Sequence, residues 1–189
     1  MFPKISDKCS KYFRFKDFFE CSDTYKISSI PNIPKELETY DAIKYFSSEI
    51  LDKVRDKFGD VVLSYGFCDF ELSKVIKKNI YPKTDQHAGF EKNSKGKLIC
   101  ERRGFASDFK IEGLSSLILA QWIVENCKFD RIYFYGETRP IHVSANSIQA
   151  KKIVLMKFYK TKRVPLNISE ANFLNMKPSI KQNKFIKNI

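Results

Sequence analysis

From Tyr40 to Gly59 apolar residues recur at helical intervals: in "YDAIKYFSSEILDKVRDKFG", Ile43, Phe46, Ile50, Leu51, Val54 and Phe58 share one face and charges fill the other. Gly59 stands where such a helix commonly ends. The period then drops to that of a strand in "DVVLSYGF" (60–67), rich in β-branched and aromatic residues after a Gly-Asp turn signal. "ELSKVIKK" (71–78) predicts a short helix, and between 79 and 102 the pattern dissolves into a long loop of the kind that is usually functional or disordered. "FASDFKI" (105–111) predicts a strand and the nearly all-apolar "LSSLILAQWIVENC" (114–127) a deeply buried helix. "DRIYFYG" and "PIHVSA" predict a hairpin around Gly136–Pro140, and "KKIVLMKFY" (151–159) a further strand. Upstream, the aromatic "YFRFKDFF" (12–19) is expected to pack, and "SSIPNIPKEL" to run as an extended connector through its two prolines. Too few helices alternate with strands for a repeating βαβ unit. The expected class is therefore α+β, a small, mostly antiparallel sheet flanked by helices.

At 189 residues the chain accommodates one substantial core, and its 43% hydrophobic content with seventeen phenylalanines separates it from disordered sequences. Residues 1–150 are expected to form a single α+β domain, with a C-terminal strand and basic tail at 151–189 belonging or appended to it. That tail holds nine lysines and one arginine against Glu170, a local net of +9 out of the chain's +12. Its interleaved Phe158, Tyr159, Phe173 and Phe185 suit nucleic acid or another anionic surface. A Lys-, Asn- and Ile-rich composition is equally the product of an AT-rich coding sequence. Five scattered cysteines without a C-x-x-C pair read as reduced thiols. The N-terminal segment has neither a signal-peptide core nor a membrane span, so the expected location is cytoplasmic.

Histidine occurs twice, at His87 in "DQHAGF" and His142 in "RPIHVS", and Asp108 lies between them in "RGFASDFKI". Zinc favours imidazole nitrogen and carboxylate oxygen, and a catalytic site supplies about three protein ligands with one position left open. His87, Asp108 and His142 meet that count, and pairing of the two predicted strands aims Asp108 and His142 at one face.

These residues resemble a known family, the zinc D-alanyl-D-alanine carboxypeptidases and related peptidoglycan endopeptidases, whose fold is shared with the Hedgehog signalling domain. Asp85-Gln86-His87 is similar to that family's Ser-x-His, Gly104-Phe105-Ala106-Ser107-Asp108 to its Gly-x-Ala-x-Asp, and Ile141-His142-Val143 to its late His strand. The similarity spans roughly residues 41–146. It implies a Hedgehog/DD-peptidase-like fold, a zinc ion on His87, Asp108 and His142, and a peptide or peptidoglycan-like substrate.

Three departures accompany it. Sixteen residues separate His87 from Gly104 where the family has only a few, which makes 88–103 an insertion or Glu101 an alternative first ligand. The family's catalytic carboxylate position, three before the last His, holds Arg139, and Glu137 is the nearest acid. Ser64-Tyr65-Gly66-Phe67-Cys68 resembles the family's Ser-Gly-Tyr-Arg stretch without its arginine. The hydrolase expectation accordingly gives Glu137 the role of base and Arg139 that of clamp for an anionic group. A cytoplasmic chain meets peptidoglycan only after lysis, as phage endolysins do. Two other classes fit the same features: a non-peptidase module binding nucleic acid through its basic face, and a metal enzyme acting on a nucleotide or modified base.

Overall fold

A computed structural model of the protein describes residues 1–28, 30–76 and 86–179. Its class is α+β, built on a six-stranded sheet: β1 (Val61–Tyr65), β2 (Phe105–Ile111), β3 (Arg131–Phe134), β4 (Ile141–Ala145), β5 (Lys152–Tyr159) and β6 (Lys162–Ile168), in the spatial order β1-β2-β4-β3-β5-β6. Four of the neighbouring pairs are antiparallel; β3 and β5 run parallel, which makes the sheet mixed. The parallel step arises because the chain leaving β4 crosses the end of β3. Buried Asp130 holds that crossing: its carboxylate accepts from the Ala150 amide at 2.9 Å and its carbonyl from the Lys152 amide at 2.9 Å.

The helices are α1 (Phe15–Phe19), α2 (Asp23–Ile27), α3 (Leu37–Phe46), α4 (Asp52–Phe58), α5 (Phe70–Val75), α6 (Ser116–Asn126) and α7 (Glu170–Leu174). A π-helical turn, Ser47–Leu51, joins α3 to α4, so the predicted single helix is present with one widened turn. Alternation along the strands sorts the sheet into two faces. One carries Phe105, Phe109, Ile132, Phe134, Ile141, Val143, Ile153 and Leu155, all in the main core. Against it pack Phe18 of α1 and Phe46 of α3, each with its ring 5.6 Å from that of Phe105, together with α6. The aromatic N-terminal run is indeed packing: Phe13, Phe15, Phe18 and Phe19 are all buried.

The C-terminal segment is more structured than its basic composition implies. β6 was not anticipated, because Pro165 and the flanking Lys162 and Arg163 mask a strand; it is an edge strand, where a proline and lysines are tolerated. Phe173, expected in an anion-following tail, is fully buried on α7 with its ring 5.9 Å from Phe134. Gln121 of α6 fastens α7 by donating to the carbonyls of Phe173, Leu174 and Met176. Phe185 lies outside the described residues.

The opposite face of the sheet is covered near β2 by the segment that follows the undescribed residues 77–85. Gln86–Ala88 form a short 3-10 turn, and Gln86, His87, Ala88 and Glu91 are buried. Glu91 anchors the segment to the start of α3, accepting from the Lys35 amide at 3.0 Å, the Glu36 amide at 3.2 Å and the Thr39 hydroxyl at 2.9 Å. Burial pushes its carboxyl up against these hydrogen bonds, which pull it down. Glu91→Ala should therefore leave helix-end amides unsatisfied and cost about 1–3 kcal/mol. Chemical denaturation of the variant checks this, with an unchanged midpoint as the contrary result.

Candidate metal centre

β2 and β4 pair directly, with Asp108 opposite His142. Both therefore project on the sheet face away from the core, and Tyr133, opposite His142 on β3, joins them there. Gly104 sets the register at the start of β2: its φ of +74° is one that side-chain-bearing residues rarely adopt, and a Cβ there would collide with the Ala145 carbonyl oxygen. The glycine of Gly-Phe-Ala-Ser-Asp is thus required by the close approach of β4.

His87 arrives from the 3-10 turn beneath β1. Its Nδ1 lies 2.7 Å from the carbonyl oxygen of Gly66, and the backbone N–H of Cys68 donates to the His87 carbonyl at 3.2 Å. Gly66 cannot carry a side chain here, since a Cβ would collide with the Phe18 carbonyl. The ring of His87 is walled by Tyr65 on one side, with centroids 4.4 Å apart, and by His142 on the other at 4.9 Å. His142 in turn meets the ring of Tyr133 at 5.1 Å. Arg102 donates to the Tyr133 hydroxyl at 3.1 Å, and its own carbonyl accepts from Asn146 at 2.6 Å.

The three candidate ligands converge. Asp108 Oδ1 lies 2.8 Å from His142 Nδ1 and 3.4 Å from His87 Nε2, and one ligand atom from each residue falls within 4.8 Å of the others. Two atoms bonded tetrahedrally to one zinc at about 2.0–2.1 Å stand about 3.4 Å apart, so these spacings are of the scale a shared ion requires. His87 is 3% and His142 5% exposed, while Asp108 is partly open. Burial alone would raise the Asp108 carboxyl, but the hydrogen bonds and charges of His142 and His87 outweigh it and hold it well below the usual carboxylate range. It is an anion at neutral pH.

The donor chemistry fits a cation. A carbonyl oxygen only accepts, so His87 must protonate Nδ1 to bond Gly66. In the neutral ring Nε2 then points a lone pair at the Asp108 carboxylate 3.4 Å away. Two electron pairs facing each other repel unless a proton or a metal cation lies between them. A ring nitrogen fixed by a backbone carbonyl, with the other nitrogen turned inward, is also the usual support of a metal-bound histidine.

Other predicted residues lie elsewhere. Glu101 is exposed in a turn and outside the cluster. Glu137 sits in the β3–β4 connection at the start of α6, where its carboxylate accepts from the Ser115 hydroxyl at 2.8 Å and from the Ser179 amide at 2.8 Å. Its carbonyl accepts from the Ser116 amide at 2.9 Å. That connection is folded onto a helix of the core face, whereas His142 points to the opposite face. Arg139 is exposed, and its carbonyl accepts from the Ser116 hydroxyl at 2.5 Å. Tyr65 and Tyr133, which wall the two histidines, were not predicted as site residues; strand alternation from His142 across the hairpin could have indicated Tyr133. Asp85, part of the Asp-Gln-His stretch, lies outside the described residues. Among the described residues no helix is long and apolar enough to cross a membrane. Comparison with protein-family models, curated proteins and solved structures found no match.

Proposed function

We propose that the protein binds one zinc ion through His87, Asp108 and His142 and hydrolyses a peptide or amide bond, as a divergent relative of the D-Ala-D-Ala carboxypeptidase-like hydrolases with their Hedgehog-type fold. The single observation that carries the metal reading is the meeting of both histidines of the chain on one carboxylate oxygen, with His87 fixed so that Nε2 faces inward. Support for the architecture comes from order: a long helix, a strand, the histidine turn, the Asp108 strand, a buried helix and a hairpin ending in the His142 strand.

When bound, zinc supplies an electrophile for a scissile carbonyl and lowers the pKa of water it holds to about 7. The chain's own residues do the rest. Gly66 fixes the tautomer of His87, Asp108 provides the negative charge, and the Tyr65 and Tyr133 rings hold both imidazoles in place. A proton acceptor is still needed, and Glu137 reaches that role only by exchanging its bonds to Ser115 and Ser179.

That engagement, with Arg139 exposed beside it, favours a second reading: a metal-bearing binding module that does not hydrolyse. Zinc-loaded protein incubated with peptides ending in D-alanyl-D-alanine and with peptidoglycan fragments separates the two. The hydrolase reading expects cleavage that is lost with a chelator and in His142→Ala, and lost with metal retained in Glu137→Gln. Absence of cleavage by fully loaded protein overturns hydrolysis of these substrates and leaves the binding module.

A further inference from the structure

Beyond Met156 and Pro165 the β5–β6 pair leaves the body of the sheet and continues as a two-stranded ribbon. Lys157 pairs with Val164, Phe158 with Arg163 and Tyr159 with Lys162, and the turn passes through Lys160 at a φ of +52°. The ribbon exposes two aromatic side chains, Phe158 at 67% and Tyr159 at 65%. Burying such rings is a major source of stability, so leaving two in water on one projection calls for a partner. Lys157, Lys160, Lys162 and Arg163 belong to the same ribbon, Lys151 and Lys152 precede it at the start of β5, and no acidic residue occurs between Asp130 and Glu170 except Glu137. The guanidinium of Arg163 lies 5.4 Å from the ring centres of both Tyr135 and Phe158, and Lys160 lies 5.8 Å from that of Tyr159.

The faces are also placed. Tyr133 pairs with Val154, so Val154, Met156 and Phe158 lie on the sheet face that carries His142. Phe158 stands four residues beyond Val154, about 13 Å along the strand. Tyr159, opposite Lys162, and Lys157 lie on the other face, so a flexible polymer that engages both rings has to pass round the ribbon's tip at Lys160.

We infer that this ribbon is a binding surface for single-stranded nucleic acid, with the lysines on the phosphates and Phe158 and Tyr159, one on each face, stacking on bases. Cations alone would suit any polyanion; exposed rings interleaved with them suit unpaired bases, whose faces are free to stack. Pairing of β6 with a second copy of the chain is disfavoured, because Pro165 removes a ladder donor and Lys162 and Arg163 repel a like edge. The inference stands whether or not the cluster holds a metal.

Fluorescence anisotropy of a labelled oligothymidylate, with a duplex of equal length and heparin as comparators, tests it on the full chain with a chelator present. Tight binding to the single strand is expected, weakening steeply with salt. Phe158→Ala with Tyr159→Ala should weaken it by roughly tenfold or more and leave heparin binding unchanged. Lys157, Lys160 and Lys162→Gln should reduce the salt slope by about 2. Lys181, Lys184 and Lys187→Gln, in the segment after the described residues, should leave the aromatic-dependent part intact. Both ring positions are exposed, and matching melting curves confirm that the variants fold. Equal affinity for single strand and duplex, or insensitivity to loss of the two rings, overturns the proposal in favour of unselective charge attraction. Absence of binding at low salt, or a ribbon-dependent dimer in its place, also overturns it.

Discussion

Asp108→Ala should weaken zinc binding by more than 100-fold. Removing a group that merely supports a ligand already costs 10–100-fold, and Asp108 is the one anion between the two histidines. It is also what draws them together: without it His87 and His142 face each other with ring centres 4.9 Å apart and no shared partner. Competition against a chromophoric chelator measures the loss, and circular dichroism verifies that the sheet persists. His142→Ala should behave alike. An Asp108→Ala protein that holds zinc as tightly as the parent would remove this residue from the ligand set.

The second large effect is on stability. Phe105 is fully buried at the start of β2, where its ring meets Phe18 and Phe46, so it ties the N-terminal helix, the long helix and the sheet into one core. Phe105→Ala should cost about 3–5 kcal/mol, the lost transfer energy plus the cavity left behind. That is a large share of the 5–15 kcal/mol by which domains are usually stable. At this chain length it corresponds to a fall in Tm of very roughly 6–20 °C. Because Phe105 adjoins Gly104 and lies three residues from Asp108, the variant should also bind metal less well in proportion to its unfolding. Thermal denaturation with and without zinc measures both, and a Tm within a degree or two of the parent would contradict the packing described.

The elements with an unbroken period were legible in the chain. Phe105–Ile111 is the strand that "FASDFKI" predicts, and the 3.6-residue repeat from Ile43 to Phe58 is helical throughout, save for the widened turn at Ser47–Leu51. What escaped has physical causes. β6 carries Pro165 and alternates poorly because most of its residues are exposed on both faces, so neither period nor propensity marks it. The parallel placement of β5 depends on the Asp130 anchor, a tertiary contact with no local signature. The site was legible as residue types and not as architecture. The two histidines could be picked out because they are the chain's only two, and Asp108 because it lies between them in a predicted strand, but the support from Gly66 and the walls of Tyr65 and Tyr133 come from backbone register. Glu137 shows the limit most plainly. Its nearness to His142 in sequence says nothing of the turn between them, which carries its carboxylate to Ser115 and Ser179.

A single metal site on His87, Asp108 and His142 has a direct signature. Protein purified without chelators, analysed for metal content and then by X-ray absorption, tests it most directly. Close to one zinc per chain is expected, bound only by nitrogen and oxygen at about 2.0–2.1 Å, including two imidazoles. Its removal should lower Tm and its return restore it. Metal-free protein whose melting curve does not move on adding zinc, or zinc bound through sulfur, would contradict it.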